Sequence, residues 1–182
     1  VGQMSFVKHA VFVNEDAPLL TDHQGIMKHI LNRLNIDDML VTKGVVDALD
    51  HSSPKFAVGG KLGLDCTGDE ITELGIILLK DNELLERMKA ITSEVKDLKQ
   101  YFTDTKNPIA VISVEKTRNQ KYLFEDLKPL FEHIKILIIV ENNKNDVNNS
   151  YMLVWRVANN IDSNRDLFID GHTMCLDATN KN

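Results

Sequence analysis

The sequence predicts an α/β domain in which helices cover a sheet. Three observations carry that expectation. Short apolar runs rich in β-branched residues alternate with stretches of helical periodicity along the chain. No linker rich in Pro, Gly or Ser interrupts them. The two ends of the chain also repeat one order of elements. Alternation of this kind marks a sheet with covering helices.

Val7–Val13 (VKHAVFV) reads as a largely buried strand, followed by the acidic turn Asn14–Pro18. Thr21 or Asp22 caps a helix that runs to Leu34, with Ile26, Ile30 and Leu34 on one face. Met39–Thr42 is a brief strand, and a long loop, Val46–Gly68, follows. Leu74–Leu79 is another buried-strand candidate. Asp81 is placed as the cap of a helix from Glu83 to Phe102. Its seam is Leu84, Met88, Ile91, Val95, Leu98 and Phe102, and Glu83 and Arg87 pair on its polar side. After Asn107-Pro108 come strand Ile109–Val114, helix Tyr122–Phe131, strand Lys135–Val140, helix Ser150–Ala158 and strand Leu167–Ile169. Trp155, in the run Met152–Trp155, is expected in the core.

A shift of 127 residues lays Val7–Gly44 on Ile134–Gly171 in the same strand, turn, helix, strand order. "LDCT" at 64–67 is echoed by "LDAT" at 176–179. These features point to duplication of a strand-helix-strand unit. The expected organisation is a first half-repeat over 1–70, a connecting strand and long helix over 71–108, and a second half-repeat over 109–182.

Composition narrows the function. The chain has 182 residues and a net charge of −6, with 21 basic residues scattered among 27 acids. No basic cluster suits a nucleic acid, so none is expected as a partner. The longest aliphatic runs, Ile136–Val140 and Ile76–Leu79, fall far short of the roughly 20 residues of a membrane helix. Lys8 and the acids after it break any signal-peptide pattern. Cys66 and Cys175 form neither a disulfide framework nor a metal knuckle, so buried thiols and a cytoplasmic location are expected. Val1 stands almost directly inside a strand-like run, which suggests a piece of a longer protein.

The chemistry-bearing residues gather in one stretch, "VDALDHSSPKFAVGGKLGLDCTG" (46–68). Gly59-Gly60-Lys61 lacks the leading glycine and the Ser/Thr of a phosphate loop. It reads either as a plain tight turn or as a turn whose amides face an anion, with Lys61 adding charge. Asp47, Asp50 and His51 read either as ordinary loop residues or as an acid–base or metal cluster. "ENNKNDVNNS" (141–150) lacks the glycine and terminal glutamate of a calcium loop. In "NNIDSNRD" (159–166), Arg165 is expected to make ion pairs that pin the turn.

The loop and the C-terminus together resemble the C-terminal signature of UbiD-type decarboxylases, the 3-polyprenyl-4-hydroxybenzoate carboxy-lyase family and its menaquinone-pathway relatives. The matching residues are Asp47, Leu49-Asp50-His51 and Gly59-Gly60-Lys61-Leu62-Gly63-Leu64-Asp65, with "LDATNK" (176–181) at the end. Each copy is incomplete: the first has the GGK element but ends "DCTGD", and the second has "LDATNK" without a GGK. The resemblance implies non-oxidative decarboxylation of an aromatic or unsaturated acid on prenylated FMN, in ubiquinone or menaquinone biosynthesis. It further implies that the acid–arginine–acid set and most of the flavin site lie upstream. No catalytic residue, cofactor or metal is then expected in this chain. Ala48, Leu49, Asp50 and His51 would edge the substrate pocket, and Gly59, Gly60 and Lys61 would anchor the loop or meet an anion. The implied partners are the protein's own N-terminal catalytic region and further copies of itself. A stand-alone association module without chemistry is the alternative, and a small independent enzyme using Asp50, His51 and Lys61 a third reading.

Overall fold

Around a central strand, β3 (Val58–Cys66), the first part of the chain builds a small sheet in the computed structural model, which describes residues 3–72 and 76–181. β1 (His9–Val13) lies parallel to β3 on one side, and β2 (Leu40–Val45) antiparallel on the other. Between β1 and β2 runs α1 (His23–Arg33). It starts where the Asp22 carboxylate accepts the Gly25 N–H at 2.9 Å, satisfying an otherwise unpaired amide.

A second sheet has the order β4-β5-β6-β8-β7. α2 (Asp81–Ile91) leads into β4 (Val95–Tyr101) and β5 (Ile109–Val114). α3 (Gln120–Asp126) and a 3₁₀ segment (Lys128–His133) lead into β6 (Ile136–Glu141). α4 (Ser150–Asn160) and the single turn α5 (Ser163–Asp166) precede the hairpin of β7 (Leu167–Asp170) and β8 (Thr173–Asp177). β5, β6 and β8 are parallel. Their nearly unbroken apolar sequences reflect burial on both faces. One face packs Ile112, Leu137 and Ile139 against Leu84, Met88, Leu123 and Phe124. The other joins Val111, Ile136 and Leu176 to Leu153 of α4, and also to Leu31 and Leu34 of α1 and Cys66 of β3. This second core welds the two sheets together.

β1-α1-β2-β3 and β6-α4-β7-β8 share one topology, with the first strand parallel to the last and the third antiparallel to it. At the 127-residue shift α1 falls on α4 from end to end. Val11 pairs with Leu64 as Ile138 pairs with Leu176, so "LDCT" and "LDAT" are structural counterparts. Asp65 accepts the N–H and hydroxyl of Thr67 at 3.0 and 2.7 Å, and Asp177 those of Thr179 at 3.0 and 2.6 Å. The units differ at the last connection, which is long in the first (46–57) and a tight turn at Gly171-His172 in the second.

Five expectations need correction. Val7–Val13, read as a largely buried strand, has no fully buried residue and exposes Val7, Val11 and Phe12, because β1 lies at the edge of the small sheet. Trp155, expected in the core, is 50% exposed, since the core side of α4 runs through Leu153 and Val157. The helix drawn to Phe102 stops at Ile91, and Val95–Tyr101 is β4. An irregularity between Val95 and Asp97 puts Val95 and Leu98 both inside, three residues apart, which imitates helical spacing. Asp81 is the first helical residue rather than the cap, and its carboxylate takes Lys99 Nζ and Gln100 Nε2, each at 3.0 Å. Of the strand drawn at Leu74–Leu79, residues 74 and 75 lie outside the described residues and 76–79 are not extended into a sheet.

The outer face of the small sheet leaves large apolar side chains in solvent, so equivalent positions carry unequal energy. Phe12, counterpart of Ile139, is 60% exposed, whereas Ile139 is fully buried. Ile139→Ala should lower the unfolding free energy by about 2–5 kcal/mol. Phe12→Ala should cost less than about 1 kcal/mol. Urea denaturation of the two variants measures the difference.

Candidate functional site

β3 passes through the middle of the first unit and carries Gly59, Gly60 and Lys61 as extended strand. The Gly-Gly turn expected from sequence is therefore corrected. The glycines are needed for close approach instead. A Cβ on Gly60 would stand 2.6 Å from the Asn164 N atom and 2.8 Å from Asp162 Oδ1, and one on Gly59 would stand 2.3 Å from Ser53 Oγ. The Gly60 N–H does face an anion, but the anion is the protein's own Asp162, whose Oδ2 accepts it at 2.7 Å.

Asp162 is fully buried and belongs to a charge-assisted network. Its other oxygen accepts the Asn164 N–H at 3.1 Å, and its own N–H donates to Asp166 at 2.7 Å. Arg165 forks onto both Asp166 oxygens at 2.8 Å. Lys181 reaches Asp166 at 3.2 Å and Asp177 at 2.6 Å.

The connection 46–57 leaves and re-enters the sheet through a narrow neck. The Val46 N–H donates to the Ala57 carbonyl at 3.1 Å, and Ala57 adopts a left-handed φ of 54°. Inside the loop, Asp50 accepts the Ser52 N–H at 3.1 Å, the Ser52 hydroxyl at 2.8 Å, the Ser53 hydroxyl at 2.5 Å and Lys8 Nζ at 2.9 Å. Lys8 also donates to Ser52 Oγ and to the Ile161 carbonyl at 3.0 Å. One ammonium thus ties β1's entry, the loop and the end of α4. Burial works against the Asp50 charge, but hydrogen bonds from Ser53, Lys8 and Ser52 outweigh it and bring the carboxyl down to about 2. Burial pushes neighbouring His9 below its ordinary value, with Lys8 adding to this and Asp50 and Asp162 opposing it.

The sequence-predicted residues divide accordingly. Asp50 is the loop's internal anchor. Ala48, Leu49 and His51 face solvent, as does Phe56, with Leu49 80% and Phe56 84% exposed. Asp47 turns inward on its own loop, accepting the Leu49 N–H at 2.8 Å. Lys61 donates to the carbonyls of Ser5 and Val7, both at 2.7 Å, and so pins the approach to β1. Asp50 is thus engaged by Lys8, Ser52 and Ser53, Lys61 by two backbone carbonyls, and His51 faces solvent, which lends no support to a joint site of the three. Among the described residues no three His, Cys, Asp or Glu side chains gather as a metal site. Burial pushes the Cys66 thiol up to about 11, with Asp65 adding to it, which leaves no ready thiolate. Sequence reasoning missed Lys8, Ser52 and Ser53, and the reach of Asp162 to Gly60. Those contacts join positions far apart in sequence, and no local pattern marks them.

Taken together, the fold is a two-unit α/β domain that presents one internally hydrogen-bonded loop with Leu49 and Phe56 exposed on it. The sequence matches the 3-octaprenyl-4-hydroxybenzoate carboxy-lyase C-terminal domain over residues 1–66 and 76–181, and the chain belongs to that family. Two uncharacterized proteins of Helicobacter pylori, from strains J99 and 26695, are each 50% identical to it over 184 residues. Those alignments take in 100% of this chain and 29% of the relatives, so the chain spans under a third of their length. An evolved dimeric form of the UbiD-class enzyme HmfF from Pelotomaculum thermopropionicum, in complex with prFMN, is 16% identical with a TM-score of 0.48. The match covers 76% of this chain and 37% of that one. The open form of Sedimentibacter hydroxybenzoicus vanillic acid decarboxylase is 14% identical with a TM-score of 0.45, over 78% of this chain and 38% of that one.

The glycine pair does not fit a flavin phosphate. Asp162 already holds the Gly60 amide, the space above both glycines is filled, and Lys61 is engaged by two carbonyls.

Two outcomes test this geometry. Gly60→Ala should destabilise the fold by about 1–3 kcal/mol through overpacking against Asp162 and Asn164, whereas Gly63→Ala, 3.5 Å from Leu40 Cβ, should be tolerated. Denaturant titration reads both. Because the folded Asp50 carboxyl lies near 2 and its ordinary value is 3.8, its stabilising contribution is complete above about pH 4 and fades as pH falls through 2. Loop proteolysis across that window should show the wild-type loop opening on acidification, and Asp50→Asn already open and insensitive to pH there.

Proposed function

We propose that this chain is the C-terminal, association and pocket-edge part of a longer carboxy-lyase. In this reading the longer protein removes carbon dioxide without oxidation from an aromatic or α,β-unsaturated acid. It does so on prenylated FMN, in the cytoplasm and in the service of quinone biosynthesis. Family membership supports the reaction class. The observation that carries the local role is the loop 46–57, whose base is locked by Lys8 and Asp50 while Leu49 and Phe56 stand out in solvent. Large apolar side chains held out on a fixed loop suit a wall that seals against another surface and excludes water from it. Here that surface is the upstream catalytic region, which supplies the flavin site and the proton-handling residues. Ala48, Leu49, Asp50 and His51 then edge the pocket, with Asp50 acting through loop position and not on substrate. The two units derive from one duplicated segment, of which only the first keeps the loop.

The second reading is a stand-alone association or binding module. It draws support from the internal saturation of Gly60, Lys61 and Asp50 by protein partners.

The test is an absorbance spectrum of the longer protein, co-expressed with a flavin prenyltransferase and purified. A bound modified flavin supports the decarboxylase reading, and a folded, colourless protein moves the weight to the module. In a flavin-loaded protein, Leu49→Gly should lower kcat/KM about tenfold, equivalent to roughly 1.4 kcal/mol of transition-state stabilisation, with flavin content unchanged. An unaltered kcat/KM would remove the loop from the pocket.

A further inference from the structure

Strand β1 has a free edge that its own residues do not guard. Among the described residues no strand pairs with its outer side. Its sequence, HAVFV, holds no Lys, Asp, Glu or Pro and runs in unbroken register, so it lacks the features that keep an exposed edge from pairing. The other edge strands have them. β2 carries Lys43, β4 carries Lys96, Asp97 and Lys99, and β7 is only four residues long and ends in Asp170. The outer sheet face beside β1 is bare as well, with Phe12 60% and Leu40 63% exposed.

The second unit shows both gaps filled. The Leu62 N–H donates to the Lys8 carbonyl at 2.8 Å, as the Met174 N–H does to that of Lys135 at 2.9 Å, so β1 and β6 face their inner neighbours through equivalent residues. On its other side β6 pairs in parallel with β5, and the Ile136 N–H donates to the Pro108 carbonyl at 3.3 Å. His9 is the counterpart of Ile136, so its N–H points to the free edge, and those of Val11 and Val13 follow at the two-residue period. The face is filled too. Leu137, Ile139 and Cys175 share a core with Leu84 and Met88 of α2 and Leu123 and Phe124 of α3. Their counterparts in the first unit are Ala10, Phe12 and Gly63. Leu40 pairs with Gly63 as Phe168 pairs with Cys175, and Phe168 packs on Phe124 with ring centroids 5.9 Å apart. The correspondence also runs ahead of β1. At the 127-residue shift the 3₁₀ segment Gln3–Phe6 falls within the 3₁₀ segment Lys128–His133, which leads from α3 into β6. The family match likewise covers two segments, 1–66 and 76–181, one for each unit.

We propose that, in the longer protein, the roughly 50 residues directly ahead of Val1 fold as a counterpart of α2-β4-β5-α3 and complete the small sheet. One strand of that segment pairs in parallel with the free edge of β1, and its two helices cover Ala10, Phe12, Gly63 and Leu40. At the same shift the pairing strand lies about 14–19 residues ahead of Val1. Because Ala10 and Gly63 stand where the second unit has Leu137 and Cys175, the covering helices bring larger apolar side chains than α2 and α3 do. A second copy of this chain fits less well. A two-fold axis would set β1 antiparallel to its mate and leave the outer face without helices. The inference rests on the reading of this chain as part of a longer protein, and on nothing in that protein's chemistry.

Hydrogen exchange followed by mass spectrometry tests it. The β1 peptide should exchange at least about tenfold more slowly in the longer protein than in this chain, and the stretch about 14–19 residues ahead of Val1 should be protected with it. Phe12→Ala in the longer protein should speed exchange across the roughly 50 residues ahead of Val1 at least about tenfold, with the β5 and β6 peptides unchanged. Phe12→Leu, which keeps an apolar contact, should stay close to the wild-type rates. Three results would each overturn the proposal. One is a β1 peptide that exchanges equally fast in both proteins. Another is a response to Phe12→Ala outside the segment ahead of Val1 and not within it. The third is β1 protection in this chain that rises with its concentration, the mark of a second copy. None of these outcomes depends on flavin or turnover, so this inference and the decarboxylase reading fail separately.

Discussion

A single buried hydrogen bond, from the Gly60 amide to the Asp162 carboxylate, sets the terms for much of the rest of this molecule. A carboxylate taken out of water is costly unless its oxygens are satisfied and its charge is answered. Asp162 meets the first need through Gly60 and Asn164. The second is met at one remove, where Arg165 and Lys181 surround Asp166. Seating the carboxylate this close to a strand leaves no room for side chains at two successive positions, hence Gly59-Gly60. The same seat holds β3 in place, and with it both ends of the loop.

The two units share a topology but not an environment. In the second, helices cover both faces of the sheet, and Leu137, Ile139 and Cys175 are sealed. In the first, only the inner face is covered, and the outer face carries Phe12 and Leu40 in solvent. The small sheet therefore depends on the core it shares with the large one, through Cys66, Leu31 and Leu34. A three-stranded sheet covered on one side is a weak folding unit by itself. The large sheet is the scaffold on which it is held.

Much of this was legible in the sequence where one period ruled. Strand Ile109–Val114 and the helices begun at His23 and Ser150 follow from apolar runs and periodicity, the first helix also from its cap at Asp22. The repeat was visible in the order of elements and in the paired Asp–Thr turns. What failed was local ambiguity. A bulge gave β4 a helical spacing, and Gly59-Gly60 looked like a turn because glycine marks both turns and close approach. The candidate loop could be located by its residue types, but not its lock. Lys8 meets Asp50, 42 positions further on, only because β1 and β3 are neighbours, and that adjacency is a tertiary fact.

The departures from symmetry explain why a loop stands on one unit only. Asn35 is the counterpart of Asp162, and both cap a turn in the same way, accepting an N–H two residues on at 3.2 and 3.1 Å. The carboxylate alone reaches beyond its own turn to hold the neighbouring strand. On the other side, the connection that is long in the first unit is reduced to Gly171-His172, with Gly171 in a left-handed turn at φ 53°. There is no segment there for an anchor like Asp50 to hold. The units are thus complementary: the second supplies the charged seat, and the first supplies the strand and loop that sit on it. Two units of one topology serve as a platform and what it presents, and the network from Asp162 through Gly60 to the loop spans both.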